Sequence, residues 1–143
     1  VSGRNSKIGG ADKMFDNNVF KENTCANIEE AGKIIGYELQ TNITYYRGIP
    51  LSMVDYIKIN EDGKEVPVEN IIISIDREDW FTLHEAETVT TYKWEYGEPL
   101  YIRVLKQGGL SKGTHKIKLT VAVRTAYIPV PLEGIKEREV VIN

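Results

Sequence analysis

The side chains best suited to acid–base work or metal binding are two histidines, one cysteine and a run of carboxylates. The densest group is His84-Glu85-Ala86-Glu87, preceded by Asp76-Arg77-Glu78-Asp79. A zinc site needs repeated His or Cys ligands at short spacing, and a hard cation needs a loop of oxygens with a Gly at the bend. Neither pattern is present, so the cluster reads as a solvated charged loop, because charged side chains ordinarily stay in water. His115 stands at the start of an alternating apolar stretch and is expected to be a core or edge histidine hydrogen-bonded to backbone. Ser111 and Thr114 lie near it, but no nucleophile elbow or Cys/His partner accompanies them, and nucleophilic catalysis finds no support. Gly108-Gly109 lacks the Lys and helix start of a phosphate loop and reads as a turn. No residue is assigned a catalytic, cofactor-binding or metal-ligating role.

The aromatics are the more informative set. Tyr45, Tyr46, Trp80, Phe81, Tyr92, Trp94, Tyr96 and Tyr127 stand mostly in expected loops or at strand ends. There they can stack on sugars or anchor a protein interface, being large, stiff and partly polar. The competing expectation places about half of them in the core, since buried Trp is common in sandwich folds.

The elements that must position these groups read as strands. In the stretch GGLSKGTHKIKLTVAVRTAYIPVP (108–131), His115, Ile117, Leu119, Val121, Val123 and Thr125 alternate with Lys116, Lys118, Thr120, Ala122 and Arg124. That period predicts a long half-buried strand with Ile117, Leu119, Val121 and Val123 inward and the lysines outward. Pro129 and Pro131 are expected to stop its ladder. Residues 35–45 alternate in the same way. Asp62-Gly63 predicts a tight hairpin turn between strands over 53–59 and 65–68, with Pro67 keeping the second at an edge. Residues 71–75 read as a strand covered on both sides, and 80–83, 88–94, 100–105 and 140–142 as further strands. Residues 132–134 read as a connection, 14–33 as an edge strand or irregular wrap, and 26–33 could hold one helical turn. Antiparallel pairing of about eight or nine short strands in one domain predicts an all-β sandwich.

Composition agrees with one globular domain. At 143 residues, 41% hydrophobic and 27% charged, the chain can bury a core without metal or disulfide support. A net charge of −3 argues against a nucleic-acid partner, which would need clustered positive charge. One cysteine, Cys25, excludes an intrachain disulfide and fits a reducing compartment, and no apolar run reaches membrane-span length. The expected location is cytoplasmic. Residues 1–13 (VSGRNSKIGGADK) lack any hydrophobic period and read as a vector-derived or disordered leader before Met14, leaving 14–143 as the sandwich domain.

Several blocks, taken in order, carry a family resemblance: MFDNNVF (14–20), YYRGIPLSMVDYIKINEDGKEV (45–66), DWFTLHEAE (79–87), EYGEPLYIRV (95–104) and THKIKLTVAVRTAYIPVPLEG (114–134). Together they resemble the small β subunit of bacterial C-glycoside deglycosidases. The resemblance implies a carbon–carbon lyase of flavonoid-type metabolism, built of two different subunits. A larger, sugar-isomerase-like barrel subunit would hold the general base and a divalent metal, manganese by the resemblance, while this chain would bind no cofactor. The implied substrate is a 3-oxo-C-glycoside, whose ketone acidifies the neighbouring C2–H so that elimination can break the sugar–aglycone bond. Under that reading, the partner contact falls first on Tyr45, Tyr46 and Arg47, and second on Tyr127 and Pro129, residue types that anchor interfaces. Two other classes stay open: a stand-alone carbohydrate-binding or interaction module using the aromatics, and a small free-standing enzyme using the acidic cluster.

Overall fold

The computed structural model of the chain describes residues 19–42, 49–95, 97–125 and 128–143; the expected leader lies outside them. Along the chain come β1 (Ala26–Glu30), β2 (Lys33–Asn42), β3 (Ile49–Pro50), β4 (Val54–Glu61), β5 (Lys64–Glu65), β6 (Ile71–Ser74), β7 (Phe81–Thr82), a single helical turn α1 (Leu83–Ala86), β8 (Lys93–Trp94), β9 (Pro99–Leu105), β10 (Gly113–Thr125) and β11 (Ile128–Ile142). The fold is all-β and every strand pairing described is antiparallel. One sheet has the order β11-β10-β4-β5, a second β1-β2-β9-β6-β7, and β3 pairs with β8. No helix among the described residues is long and apolar enough to cross a membrane.

β10 behaves as its alternation requires. Ile117, Leu119, Val121 and Val123 are buried, Lys116 is exposed and Lys118 is half-buried. The core forms where they meet Ile57 and Ile59 of β4 and, from the other sheet, Tyr37, Leu39, Ile71, Ile73, Leu100 and Ile102. Thr120 and Ala122 are also buried, although they face outward. Ala122 sits in register between Tyr56 and Glu133, and the Tyr56 hydroxyl donates to the Glu133 carboxylate across that small side chain. The two layers are tied by Tyr37, buried on β2, which donates to Glu61 Oε1 of β4 at 3.0 Å, while Lys106 pairs with the other Glu61 oxygen.

Local turn chemistry explains several departures from the sequence expectation. Residues 26–33 form no helical turn: β1 and β2 make a hairpin whose tip, Ala31-Gly32, has φ of 52° and 80°. Two positive φ values are what a two-residue hairpin turn demands, and an Ala at the first of them hides the signal that Asn or Asp would give. The Asp62-Gly63 turn does form as expected, with φ of 52° and 87°. Pro129 and Pro131 do not end the ladder, and 132–134 is no connection. Both prolines lie inside the 15-residue β11, at the outer edge of its sheet, where a missing N–H costs no sheet bond. The strand expected over 88–94 shrinks to Lys93–Trp94, and Leu83 opens α1 instead of closing a strand. The sequence did carry that signal: Thr82 caps the turn by accepting from Glu85 N, and Glu85 Oε1 accepts from Thr82 N at 2.8 Å, a capping box.

Strand register sorts the loops between two ends. Asn42 pairs with Pro99, Ser74 with Tyr101, Val123 with Val54 and Thr125 with Ile128, which places the described stretches 49–53 and 75–95 at the same end as Asn42, Thr125 and Ile128. That end is stitched by Leu51 N to Tyr92 O at 3.0 Å, Ser52 N to Val89 O at 2.9 Å and Arg124 Nη2 to Ser52 O at 3.0 Å. The opposite end carries the Asp62-Gly63 turn and the 106–112 loop, where Asn27 clamps Leu110 by accepting from its N–H at 2.8 Å and donating to its carbonyl at 2.9 Å.

Among the described glycines Gly36 has the least room, since a β-carbon there would lie 1.9 Å from the Val104 carbonyl oxygen. Gly36→Ala should therefore part β2 from β9 and cost about 3 kcal/mol or more in urea unfolding, near the top of the range for single substitutions. Val121→Asp, which buries an unpaired carboxylate, should leave no cooperative transition in far-UV circular dichroism at all.

Candidate functional site at the loop end

The residues first expected at an interface, Tyr45, Tyr46 and Arg47, and also Tyr127, lie outside the described residues, as does the side chain of Pro129, whose backbone is in β11. The described residues that flank these two segments, Asn42 and Ile49 on one side and Arg124 and Ile128 on the other, stand at the same end of the sandwich. Beside them Trp94 is 1% exposed, and its indole donates to Glu98 O at 2.8 Å. This buried aromatic, which residue order did not place, fixes the loop that returns to β9.

The acidic segment 76–87 is a capped, solvated loop. Asp76 Oδ1 accepts from Glu78 N at 2.9 Å and Asp79 N at 3.0 Å, and these backbone N–H groups hold its carboxyl below the usual range. Asp79 accepts from the Tyr92 hydroxyl, and the His84 side chain is 92% exposed on α1. Among the described residues no three His, Cys, Asp or Glu side chains come together as metal ligands.

Sequence reading missed the most unusual polar group in the chain. Glu38 lies on the outer face of the five-stranded sheet, yet is only 3% exposed. Its cross-strand neighbour Arg103 donates Nε to Oε1 at 2.9 Å, and Arg77, from the loop after β6, reaches Oε2 at 2.5 Å. The Arg103 guanidinium lies 4.2 Å from the Trp80 ring centroid and that of Arg77 4.5 Å from Tyr101. Each cation is thus held between a carboxylate and an aromatic face, the arrangement that offsets the desolvation of a buried ion pair. The only sequence signal was a Glu and an Arg at outward positions of two strands, which says nothing until their pairing is known.

At the opposite end, Asp62, His115 and Ser111 bring together the residue types of a hydrolytic triad. His115 Nδ1 is 2.7 Å from Asp62 Oδ2, and Nε2 is 3.3 Å from Ser111 Oγ. However, Nε2 is closer, at 2.8 Å, to the Ser111 carbonyl, which can only accept. Both ring nitrogens therefore face acceptors, an arrangement that favours the protonated ring and presents no nitrogen lone pair to act as a base for Ser111. The bond to Asp62, then that to the Ser111 carbonyl, raises the His115 pKa from 6.5. The same bond, with Lys116 N donating to Oδ1 at 2.8 Å, lowers Asp62. The backbone bond expected for His115 is there, but the group is a latch between the β4–β5 turn and β10.

Among the described residues each aromatic ring has an internal partner. Phe81 and Tyr92 meet edge to face at 5.4 Å, Lys58 lies over Tyr56, Arg138 lies over Phe20, and Tyr37 is buried. Trp80 and Tyr101 each carry a guanidinium over one ring face, and Trp94 is enclosed.

Two expected outcomes follow from these groups. Glu38→Ala would leave two guanidinium groups without their shared carboxylate. It should cost about 2–4 kcal/mol in urea unfolding, less than for a fully buried triad because Arg77 is half-exposed. For the latch, a raised His115 stabilises below the free value of 6.5 and loses that contribution as pH rises through its folded pKa. A lowered Asp62 stabilises above its free value of 3.8 and loses it as pH falls. The Tm difference between wild type and His115→Gln should therefore be largest between pH 3.8 and 6.5 and shrink toward alkaline pH.

Comparison with known proteins places this geometry. The family model described as C-glycoside deglycosidase beta subunit matches residues 15–127. A C-glycoside deglycosidase beta subunit of Eubacterium cellulosolvens is 28% identical over 98 residues, 68% of this chain and 66% of that protein, so the match spans just under two thirds of the relative. A 3'-dehydrocarminate deglycosidase beta subunit of a Microbacterium species is 26% identical over 95 residues, 66% of this chain and 70% of that protein. With most of its length and every strand before β11 inside the matched region, this chain belongs to the C-glycoside deglycosidase beta subunit family.

Proposed function

We propose that the chain is the small subunit of a C-glycoside deglycosidase built of two different subunits, active only when joined to the larger, barrel-shaped one. The observation that carries this reading is the family match over residues 15–127, which covers the loop end and its aromatic segments. The substrate class is a 3-oxo-C-glycoside. Its ketone acidifies the C2–H, and a base removes that proton to give an enolate with the charge on the C3 oxygen. The enolate collapses back to the ketone, its electron pair forming the C1–C2 double bond as the C1–aglycone bond breaks, and the aglycone carbon takes up a proton. That sequence needs a positioned base and a stabilised oxyanion. The two histidines of this chain are a latch and an exposed residue on α1, which fits a base supplied from elsewhere. The base and a divalent metal, manganese in this reading, are assigned to the larger subunit.

This chain would complete or support a wall of the shared site, using the end at which Asn42, Ile49, Arg124 and Ile128 stand. Tyr45, Tyr46 and Arg47, with Tyr127 and Pro129, are its proposed contacts. The family match supports the subunit reading over a stand-alone glycan-binding module. Cys25 fits a reducing compartment, and the cytoplasm is the location we assign. Burial, then the Glu61 charge, pushes the thiol up to about 12, which leaves it inert as a nucleophile.

Co-expression with the larger subunit tests the reading. The pair should release aglycone from a 3-oxo-C-glycoside while each chain alone does not, and Tyr46→Ala with Arg47→Ala should weaken assembly and activity together. Full activity from the larger subunit alone would remove the subunit role.

A further inference from the structure

His115 has two ring nitrogens, and on the Nε2 side Ser111 offers two different oxygens. Nδ1 is 2.7 Å from Asp62 Oδ2, while Nε2 is 2.8 Å from the Ser111 carbonyl and 3.3 Å from Ser111 Oγ. The protonated ring satisfies Asp62 and the carbonyl together, since each nitrogen then carries a hydrogen. A neutral ring carries one, so loss of the proton leaves one nitrogen with a lone pair facing an oxygen. Charge decides which nitrogen that is. A lone pair turned to Asp62 meets a full negative charge, with that of Glu61 close by, whereas one turned to the Ser111 carbonyl meets only a dipole. The neutral ring therefore keeps its hydrogen on Nδ1, and Nε2 becomes an acceptor. The His115 side chain is only 12% exposed, so water is a poor source of the donor that Nε2 then needs. The Ser111 hydroxyl is already within reach.

The surroundings limit what can move in response. The loop is fixed as far as Leu110, which is 2% exposed and clamped through both of its backbone polar groups by Asn27. Gly109 is fixed with it, packed so closely that a β-carbon there would collide with the Asn27 side chain. On the other side Gly113 opens β10 opposite Ile142 at φ 120°, with no atom within 4 Å of where a β-carbon would stand. The exposed pair Ser111-Lys112 lies between these points, and the peptide group joining them carries the carbonyl that faces the ring. Asp62 is held on β10 independently of the ring, because Lys116 N donates to its Oδ1 and its own N–H donates to Lys116 O, both at 2.8 Å. The other charges of this end are Glu61, paired with Lys106 and opposite Lys64 in register, and the exposed Lys112 and Lys116. From β11 the register neighbour of His115 is the uncharged Val140.

We propose that Asp62, His115 and Ser111 form a proton-operated switch, in which the protonated ring holds the Ser111 carbonyl and the neutral ring releases it to accept from the Ser111 hydroxyl. The proton leaves Nε2 for solvent, and the 111–112 peptide turns between its fixed ends at Leu110 and Gly113. The switch goes beyond a static latch, since both protonation states are bonded and each selects a different backbone orientation. The bond to Asp62, then that to the Ser111 carbonyl, places the change above pH 6.5. The carbonyl-held form is complete below that value and is lost as pH rises through the folded pKa.

A titration of the full-length, isotope-labelled chain by NMR tests this. Ring nitrogen shifts should show both nitrogens protonated at low pH and a hydrogen on Nδ1 alone above the pKa. The carbonyl carbon of Ser111 should titrate with the ring while that of Leu110, held by Asn27, stays flat. Ser111→Ala keeps the carbonyl and removes the hydroxyl that stabilises the neutral ring; it should raise the His115 pKa by about half a unit, about threefold in the proton equilibrium. A serine with a merely structural role would leave that value unmoved. Should the variant not fold, the wild-type ring and carbonyl shifts decide alone. A neutral ring protonated on Nε2, a Ser111 carbonyl that does not titrate, or an unchanged or lowered pKa in folded Ser111→Ala overturns the switch.

Discussion

A 13-residue strand carries backbone donors and acceptors along both of its edges, and one buried face makes all of them hard to leave unpaired. In β10 that requirement organises the molecule. One edge is met by β4 and the other by β11, while Ile117 to Val123 supply the inner layer against which the second sheet closes. Shifting the register by one residue would send the lysines inward, so the period of this strand fixes the register of its neighbours as well. The loop end is where those strands stop, and the position of the candidate site is therefore a consequence of strand length.

What could be read from residue order was what depends on period and on turn residues. The alternation in β10 and β2 and the Asp62-Gly63 turn all rest on side chains within a few positions of each other, and all formed. The misreadings share a physical cause. Ala31 takes a left-handed conformation that its side chain does not advertise, because the pairing of β1 with β2 outweighs the local cost. Pro129 and Pro131 are breakers only where their missing donors would have had a partner, and edge position is a property of the sheet, not of the residue.

The Glu38 cluster was not legible for a different reason. Its members come from β2, the loop after β6, and β9, and they become neighbours only when those strands are ordered side by side. The same holds for His115, whose backbone bond was expected but whose carboxylate partner, Asp62, sits at a hairpin tip far away in sequence. Family resemblance could be read because it lies in ordered blocks of sequence. The contacts that give the loop end its charge and rigidity are long-range, and no local pattern encodes them.

The edges of the sheets have a consequence for the life of such a chain before it meets another. β5 and β7 are two residues each and β1 is five, whereas β11 runs for 15 at the outside of its sheet. An edge of that length is the natural template for pairing with a second nascent copy, which would divert the chain into aggregates. Two prolines near its start remove donors there, and Glu133, Lys136, Glu137, Arg138 and Glu139 make an added strand electrostatically awkward along much of the rest. The longest border of the fold is thereby a poor template for a second copy of the same strand.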